Sequence, residues 1–225
     1  HSAKGIAVMA HPVMFNNTEL LLELMYAEYE QRQENNNRRR LKQANFPFTK
    51  NIDELDLSRY DGQISDLFIS ELASCRFIDE KKNLVMIGNP GRGKTHMAIG
   101  IGLKACAGGK SVLFKNAASL STELSEAKDN YALGKLEKRI QKVDLLIIDE
   151  MGCVSFDCFQ SELLFKVIAD RSERGSTIVT TNLAFSEWTN LFENTAMVAA
   201  LVDRLTFRSY VLDMNEDYYR LDHSK

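Results

Sequence analysis

The segment Leu84-Val-Met-Ile-Gly-Asn-Pro-Gly-Arg-Gly-Lys-Thr-His96 decides the fold of this chain. Its apolar start leads into Gly88, Gly93, Lys94 and Thr95, which match the pattern G-x-x-x-x-G-K-[ST]. A helical pattern follows at once. Glycines allow a tight turn in which backbone N–H groups point towards an anion. The order of strand, glycine-rich loop and helix therefore predicts a phosphate-binding loop at the end of a buried strand.

The loop also predicts the contacts of a bound nucleoside triphosphate. Lys94 is expected to reach the β- and γ-phosphates, and the Thr95 hydroxyl to hold Mg²⁺. The helix that starts near Lys94 directs its positive dipole end at the same anion. The predicted cofactor-binding residues are Gly88, Asn89, Pro90, Gly91, Arg92, Gly93, Lys94, Thr95 and His96.

A second informative segment is Asp144-Leu-Leu-Ile-Ile-Asp-Glu150. Its four consecutive apolar residues predict a strand buried on both faces, as in a parallel sheet. Two carboxylates follow at the carboxyl end, where ligands bind in open α/β sheets. Asp149 is predicted to hold the hydrated Mg²⁺, and Glu150 to orient and polarise an attacking water as the catalytic base.

A third buried strand, Ser176–Asn182, ends in a polar residue. Asn182 has two interpretations from the residues alone. It either forms a turn, as asparagine often does, or hydrogen-bonds the γ-phosphate or the attacking water.

Strands and helices alternate from Asn83 onward, which predicts an α/β fold with a parallel sheet covered by helices on both faces. The chain before that point is rich in helical patterns, with one long helix expected over 19–44 and another over 63–77. We predict an N-terminal arm and helix at residues 1–45, which contact DNA or a neighbouring subunit, and an ATPase domain at 46–225.

Composition limits the classes of function. The chain has 225 residues, 44% of them hydrophobic, and a net charge of −3, so no overall basic field attracts nucleic acid. It contains no apolar run long enough to cross a membrane. Its four cysteines lack a paired metal-ligand spacing, which favours free thiols in a reducing, cytoplasmic setting.

Two local groups of cations remain as candidates for DNA contact. One lies near the end of the long N-terminal helix, and the other lies on a predicted helix over 133–142. Each is either a solvated helix surface or a contact to the phosphate backbone, and the first could also dock on a neighbouring subunit. The residues are Arg38, Arg39, Arg40, Lys135, Lys138 and Arg139.

With these residues in hand, the chain resembles AAA+ ATPases of the IstB/DnaC group, and more closely the IstB-like transposition helpers of insertion sequences. The resemblance covers roughly residues 18–221. The phosphate loop and the Asp149-Glu150 strand mark only a P-loop ATPase. The specific similarity lies in Phe185-Ser-Glu-Trp188 and Val202-Asp-Arg-Leu205, in this order and spacing.

The resemblance implies an AAA+ P-loop NTPase three-layer sandwich, preceded by a small helical region and without a C-terminal lid. Asn182 matches the sensor-1 position. Arg204, which otherwise reads as a salt-bridge partner on a helix surface, matches the arginine finger that reaches the ATP of a neighbouring subunit. The implied activity is ATP hydrolysis with Mg²⁺, in a homo-oligomer that binds duplex DNA and presents it to a transposase.

Two other functions fit parts of the pattern. A replicative helicase loader would use the same ATPase as a protein–protein adaptor, although residues 1–45 carry no zinc-binding Cys/His set. A small-molecule kinase would share the phosphate loop, but Asp149-Glu150 with Asn182 and Arg204 fits water as the acceptor better.

Overall fold

The computed structural model describes residues 17–54, 66–172, 174–192 and 195–215. Contacts divide the chain into two units, residues 1–36 and 37–225. The described part of the first unit belongs to helix α1 (Asn17–Ala44), which matches the long helix expected over 19–44. The boundary expected at residue 45 stays a prediction.

Five strands form one parallel sheet in the second unit, in the order β2-β3-β4-β1-β5. The apolar runs identified in the sequence all lie in this sheet, and most of their residues are buried. The strands are β1 (Asn83–Ile87), β2 (Val112–Asn116), β3 (Leu145–Asp149), β4 (Ser176–Thr181) and β5 (Ser209–Asp213).

Helices connect the strands, and the predicted α/β fold is confirmed. A short 3-10 helix, Ile52–Glu54, precedes them, and another, Phe185–Asn190, follows β4. The remaining helices are α2 (Asp66–Ala73), α3 (Arg76–Asp79), α4 (Lys94–Ala107), α5 (Ala117–Asp129), α6 (Leu133–Lys142), α7 (Cys158–Arg171) and α8 (Thr195–Thr206).

Alternate residues of each central strand enter two different hydrophobic cores, since successive side chains of a strand point to opposite faces. Leu145 and Ile147 join the core that includes residues of α2, α3 and α4. Leu146 and Ile148 join the core that includes residues of α5, α7 and α8. The sheet is therefore the middle of three layers.

One predicted helix differs from the structure. Residues 66–79 form two helices rather than one, because Cys75 between them has a φ of 59°. This turn allows Leu72 on one side and Phe77 on the other to be buried in the same core. The first residues of the predicted span, 63–65, lie outside the described residues.

No helix among the described residues combines the length and apolar character that a membrane span requires.

Candidate nucleotide site

The phosphate loop connects the end of β1 to the start of α4. Gly91 and Gly93 both have a φ of 81°, a left-handed conformation that costs L residues with a side chain about 1–2 kcal/mol. Gly93 directly precedes the first residue of α4, so the unpaired N–H groups of that helix face the loop. The local sequence thus forms a cradle for an anion.

The base of the loop is fixed by the end of β5. The Asn89 backbone N–H donates to the Asn215 side-chain oxygen at 2.7 Å, and Arg92 Nε donates to the Met214 carbonyl at 2.8 Å. A Cβ on Gly88 would lie 3.1 Å from Met214 Cβ, so glycine permits this close approach. The Arg92 side chain thus contacts the strand end, and Gly88, Asn89 and Arg92 do not line the adjoining cavity.

The loop borders a cavity of about 360 Å³, within the size range of ligand sites. Six of the predicted loop residues line it, together with Glu150 and Asn182 from the carboxyl ends of two other strands. The lining residues are Phe48, Lys50, Pro90, Gly91, Gly93, Lys94, Thr95, His96, Glu150, Cys153, Thr180, Thr181 and Asn182.

The loop itself holds the side chain of Lys94, a cation that lines this cavity. Its Nζ donates to the carbonyl oxygens of Gly88 at 2.5 Å and Asn89 at 2.9 Å. Burial lowers the pKa of Lys94, and the nearby Asp149 carboxylate opposes that shift. The ammonium group is thus held at the cradle, where an anionic ligand would favour its charged form.

Thr95 and Asp149 form the candidate magnesium site. Thr95 Oγ1 donates to the two Asp149 carboxylate oxygens at 3.0 and 3.1 Å, and Thr180 Oγ1 donates to Asp149 Oδ1 at 2.6 Å. Asp149 is 4% exposed, and this burial raises its pKa although both hydroxyls oppose the shift.

A hydroxyl and a carboxylate beside a phosphate cradle are the oxygen ligands that Mg²⁺ takes in such sites, so Thr95 and Asp149 fit the ion. The described residues contain no group of three or more His, Cys, Asp or Glu side chains that could hold a metal ion. A bound Mg²⁺ would therefore take its remaining ligands from phosphate and water.

Glu150 is held in a strained backbone conformation, with a φ of 61°. Its N–H donates to Thr180 Oγ1 at 2.9 Å, and its carboxylate accepts from Asn116 Nδ2 at 2.6 Å. The strain turns an exposed carboxylate towards the cavity instead of continuing β3.

Asn116 contacts a site residue, although the sequence motifs did not identify it as part of the site. Its Oδ1 accepts from the Ala118 N–H at 3.0 Å and caps α5, while its Nδ2 contacts Glu150. No local sequence pattern indicates this contact, because it depends on the register that pairs Asn116 directly with Asp149 across two parallel strands. Two strand ends that meet in this way bring their polar residues together.

Asn182 lies at the cavity, directly after β4. Its Oδ1 is buried and has no hydrogen-bond partner in the part of the chain that the structure describes. A Cβ on Gly152 would lie 2.7 Å from this oxygen, and Gly152 has a φ of 132°. Asn182 lines the cavity beside the phosphate loop, which favours the interpretation that its amide group contacts a ligand.

Arg204 is absent from the residues that line the cavity. It lies on α8, where its guanidinium is 5.1 Å from the centre of the Phe165 ring on α7. The structure thus brings together Lys94, Thr95, Asp149, Glu150 and Asn182, but not Arg204.

A second, larger cavity of about 1040 Å³ along the edge strand β2 is lined by one cation of the first predicted group and by all three of the second. Arg40 lines it from α1, and Lys135, Lys138 and Arg139 line it from α6, with Lys142 as an additional cation. Arg40 Nε is fixed by the Cys106 carbonyl at 2.8 Å. Arg38 and Arg39 do not line this basic groove.

Comparison with known proteins identifies the family. A family model described as IstB-like ATP binding protein matches residues 6–225. The chain belongs to this family.

Two relatives carry names from insertion sequences. The chain is 36% identical to a protein of insertion sequence IS5376 from Geobacillus stearothermophilus, over 98% of this chain and 86% of that protein. It is 31% identical to a protein of insertion sequence IS21 from Pseudomonas aeruginosa, over 93% and 79%. Both relatives are named for ATP binding.

Among solved structures, the DnaC helicase loader matches with a TM-score of 0.58 and 22% identity. The match covers 78% of this chain and 98% of that chain. At this identity the similarity is one of fold, and it agrees with the AAA+ P-loop sandwich expected from the sequence.

Proposed function

We propose that this chain is an ATP-hydrolysing, DNA-binding oligomer that assists transposition by presenting target DNA to a transposase. The observation that carries the proposal is the single cavity at which Lys94, Glu150 and Asn182 meet beside the Thr95–Asp149 pair. Membership of the IstB-like ATP binding protein family supports ATP as the nucleotide. The insertion-sequence names of the relatives support a role beside a transposase.

Hydrolysis requires a group that takes a proton from the attacking water. Glu150 is exposed, ionisable and directed at the cavity by its strained backbone, so it is the proposed general base. Asn182 would orient the water or the γ-phosphate through its amide group. Mg²⁺, held by Thr95 and Asp149, would neutralise charge on the phosphates.

Arg204 is proposed to complete the site of a neighbouring subunit. A guanidinium that approaches the γ-phosphate only when two subunits meet couples hydrolysis to assembly. An Arg204→Ala variant should lose hydrolysis and should recover part of it when mixed with a Lys94→Ala variant, which still carries Arg204. No recovery on mixing would contradict action between subunits.

The basic groove supports the DNA part of the proposal. Phosphate contact requires clustered cations and no particular sequence, and helices α1 and α6 together supply five cations to one surface. Glu123 is the acidic residue among those that line the groove, and it forms an ion pair with Lys115. The charge of the groove is therefore strongly positive although the chain as a whole carries −3.

The first test compares binding to duplex and single-stranded DNA with ATP, with ADP and without nucleotide. The proposal expects cooperative, ATP-dependent assembly on duplex DNA. A preference for single strands, or DNA binding only with a helicase present, would support the alternative function of a helicase loader.

A second test locates the DNA contact. Replacing Lys135, Lys138 and Arg139 by alanine should reduce the slope of log K against log salt concentration by about 2–3, because each phosphate contact contributes about 0.9. The control is Lys166→Ala, which removes an exposed cation outside the groove. An unchanged slope in the triple variant would contradict the assignment.

A further inference from the structure

The segment 46–54 is packed against α4 through two helical glycines. A Cβ on Gly102 would lie 2.8 Å from the Phe46 ring, and a Cβ on Gly100 would lie 2.8 Å from both the backbone N and the Cβ of Ile52. Ile52 is 3% exposed. The absence of side chains at the two glycines thus allows this segment to lie directly on the helix that begins at the phosphate loop.

Two polar contacts fix the same segment. His96 Nε2 donates to the Asn51 carbonyl at 2.8 Å, and Lys104 Nζ forms an ion pair with Asp53 at 2.9 Å. His96 is two residues beyond Lys94, so one of these contacts lies at the phosphate loop itself. The segment is therefore held in a fixed position relative to the cradle.

Phe48 lies between these anchors but is itself 44% exposed. It lines the same cavity as Lys94 and Thr95, and so does Lys50, whose ammonium is 5.6 Å from the centre of the Phe48 ring. Because the ring is exposed and lines the cavity on a fixed segment, a ligand in the cavity can reach it. Its position on the wall of a phosphate-binding cavity indicates a flat, aromatic group as its ligand.

We propose that Phe48 is the stacking surface for the nucleobase of the bound nucleoside triphosphate, and that Lys50 adds positive charge to the same wall. This inference rests on the proposed function, because it assigns the base of the nucleotide whose phosphates the loop holds. Every nucleobase has a π-face, so stacking on Phe48 supplies affinity for the base without choosing its identity. Anchoring of the segment on α4 lowers the entropy cost of this contact.

The experiment measures binding of ATP and of inorganic tripolyphosphate, each with Mg²⁺, by titration calorimetry. Tripolyphosphate probes the cradle alone, and the difference between the two ligands reports the nucleoside. Phe48→Ala should weaken ATP binding about tenfold and leave tripolyphosphate binding unchanged. Phe48→Trp should retain ATP binding because its ring can stack as well. The matched control is Phe207→Ala, which removes a phenyl ring of similar exposure (47%) outside the cavity.

The other outcomes separate the two proposals. Equal ATP affinity in the wild-type protein and Phe48→Ala would overturn the stacking assignment while the phosphate site stands. An equal loss for ATP and tripolyphosphate would overturn it as well, because Phe48 would then support the whole loop. Failure of the wild-type protein to bind either ligand would contradict the proposed function and the inference together.

Discussion

The two ends of the sheet differ in the hydrogen bonding of particular polar side chains. At the carboxyl end, Glu150 has a strained backbone, and Asn182 has a buried amide oxygen without a partner among the described residues. At the amino end, Asn83 and Arg171 are buried and hydrogen-bonded on every side-chain nitrogen and oxygen.

Arg171 forms the centre of the amino end. It is 1% exposed, and its three guanidinium nitrogens contact the carbonyl oxygens of Ile140, Val143, Asp144 and Ser176 and the Thr177 hydroxyl. These carbonyls belong to the end of α6, to the loop that enters β3 and to the first residue of β4. The arginine thus binds together the connections on one side of the sheet. Burial lowers its pKa to about 10, so it stays charged at neutral pH.

The groups proposed for chemistry lie at the carboxyl end of the sheet, and the fully hydrogen-bonded buried groups that stabilise the fold lie at the amino end. Satisfied buried groups rigidify a fold, whereas strained or unpaired groups persist only when the surrounding structure holds them in place. Substitutions at the carboxyl end should therefore change hydrolysis at little cost in stability, and substitutions at the amino end should do the reverse.

The largest effect is expected for Glu150→Gln at the carboxyl end. Loss of the proposed general base should lower the rate of ATP hydrolysis by about 10²–10⁴-fold. Nucleotide binding and the midpoint of thermal unfolding should change little. Glu162→Gln, an exposed carboxylate on α7, serves as the control for loss of charge. Turnover retained by Glu150→Gln would rule out its role as the base.

At the amino end, Arg171→Met should lower the free energy of unfolding by about 3–5 kcal/mol, because it leaves several buried carbonyl groups without donors. Urea denaturation measures this change. Lys166→Met on the same helix removes an exposed cation and its ion pair with Glu137, and should lower the free energy of unfolding by less than Arg171→Met does. An equal loss of unfolding free energy in the two variants would contradict the stabilising role assigned to the amino end of the sheet.

The sequence was sufficient for the parts of the site that depend on local patterns. The phosphate loop, Asp149 and the parallel sheet follow from motifs and apolar runs that lie within a few residues. Contacts between distant segments were not accessible in this way. Asn116 reaches Glu150 only because two strand ends align, and Arg40 joins the cations of α6 in one groove only because α1 and α6 both border β2.

Arg171 shows the same limit at the opposite end of the sheet. An arginine in the last turn of a helix normally indicates an exposed position. Here a Cβ on Gly175 would lie 2.6 Å from Arg171 Nη2, so the missing side chain makes room for the buried guanidinium. A helical pattern read alone predicts neither this space nor the turn at Cys75.

The smallest expected effect concerns the pH dependence of stability at the amino end of the sheet. Burial alone would raise the pKa of Asp144, but hydrogen bonds from the Ser111 N–H at 2.8 Å and hydroxyl at 2.7 Å outweigh it, and the pKa is lowered. A lowered pKa in the folded state means that Asp144 stabilises the protein above its unfolded-state pKa of about 3.9 and loses this contribution as pH falls. Asp144→Asn should therefore flatten the loss of stability between about pH 5 and pH 3, measured by urea denaturation. The control is Asp129→Asn, at the exposed end of α5, which should leave the dependence of stability on pH unchanged. The same dependence in the wild type and in both variants would show that Asp144 does not contribute to the acid sensitivity of the amino end.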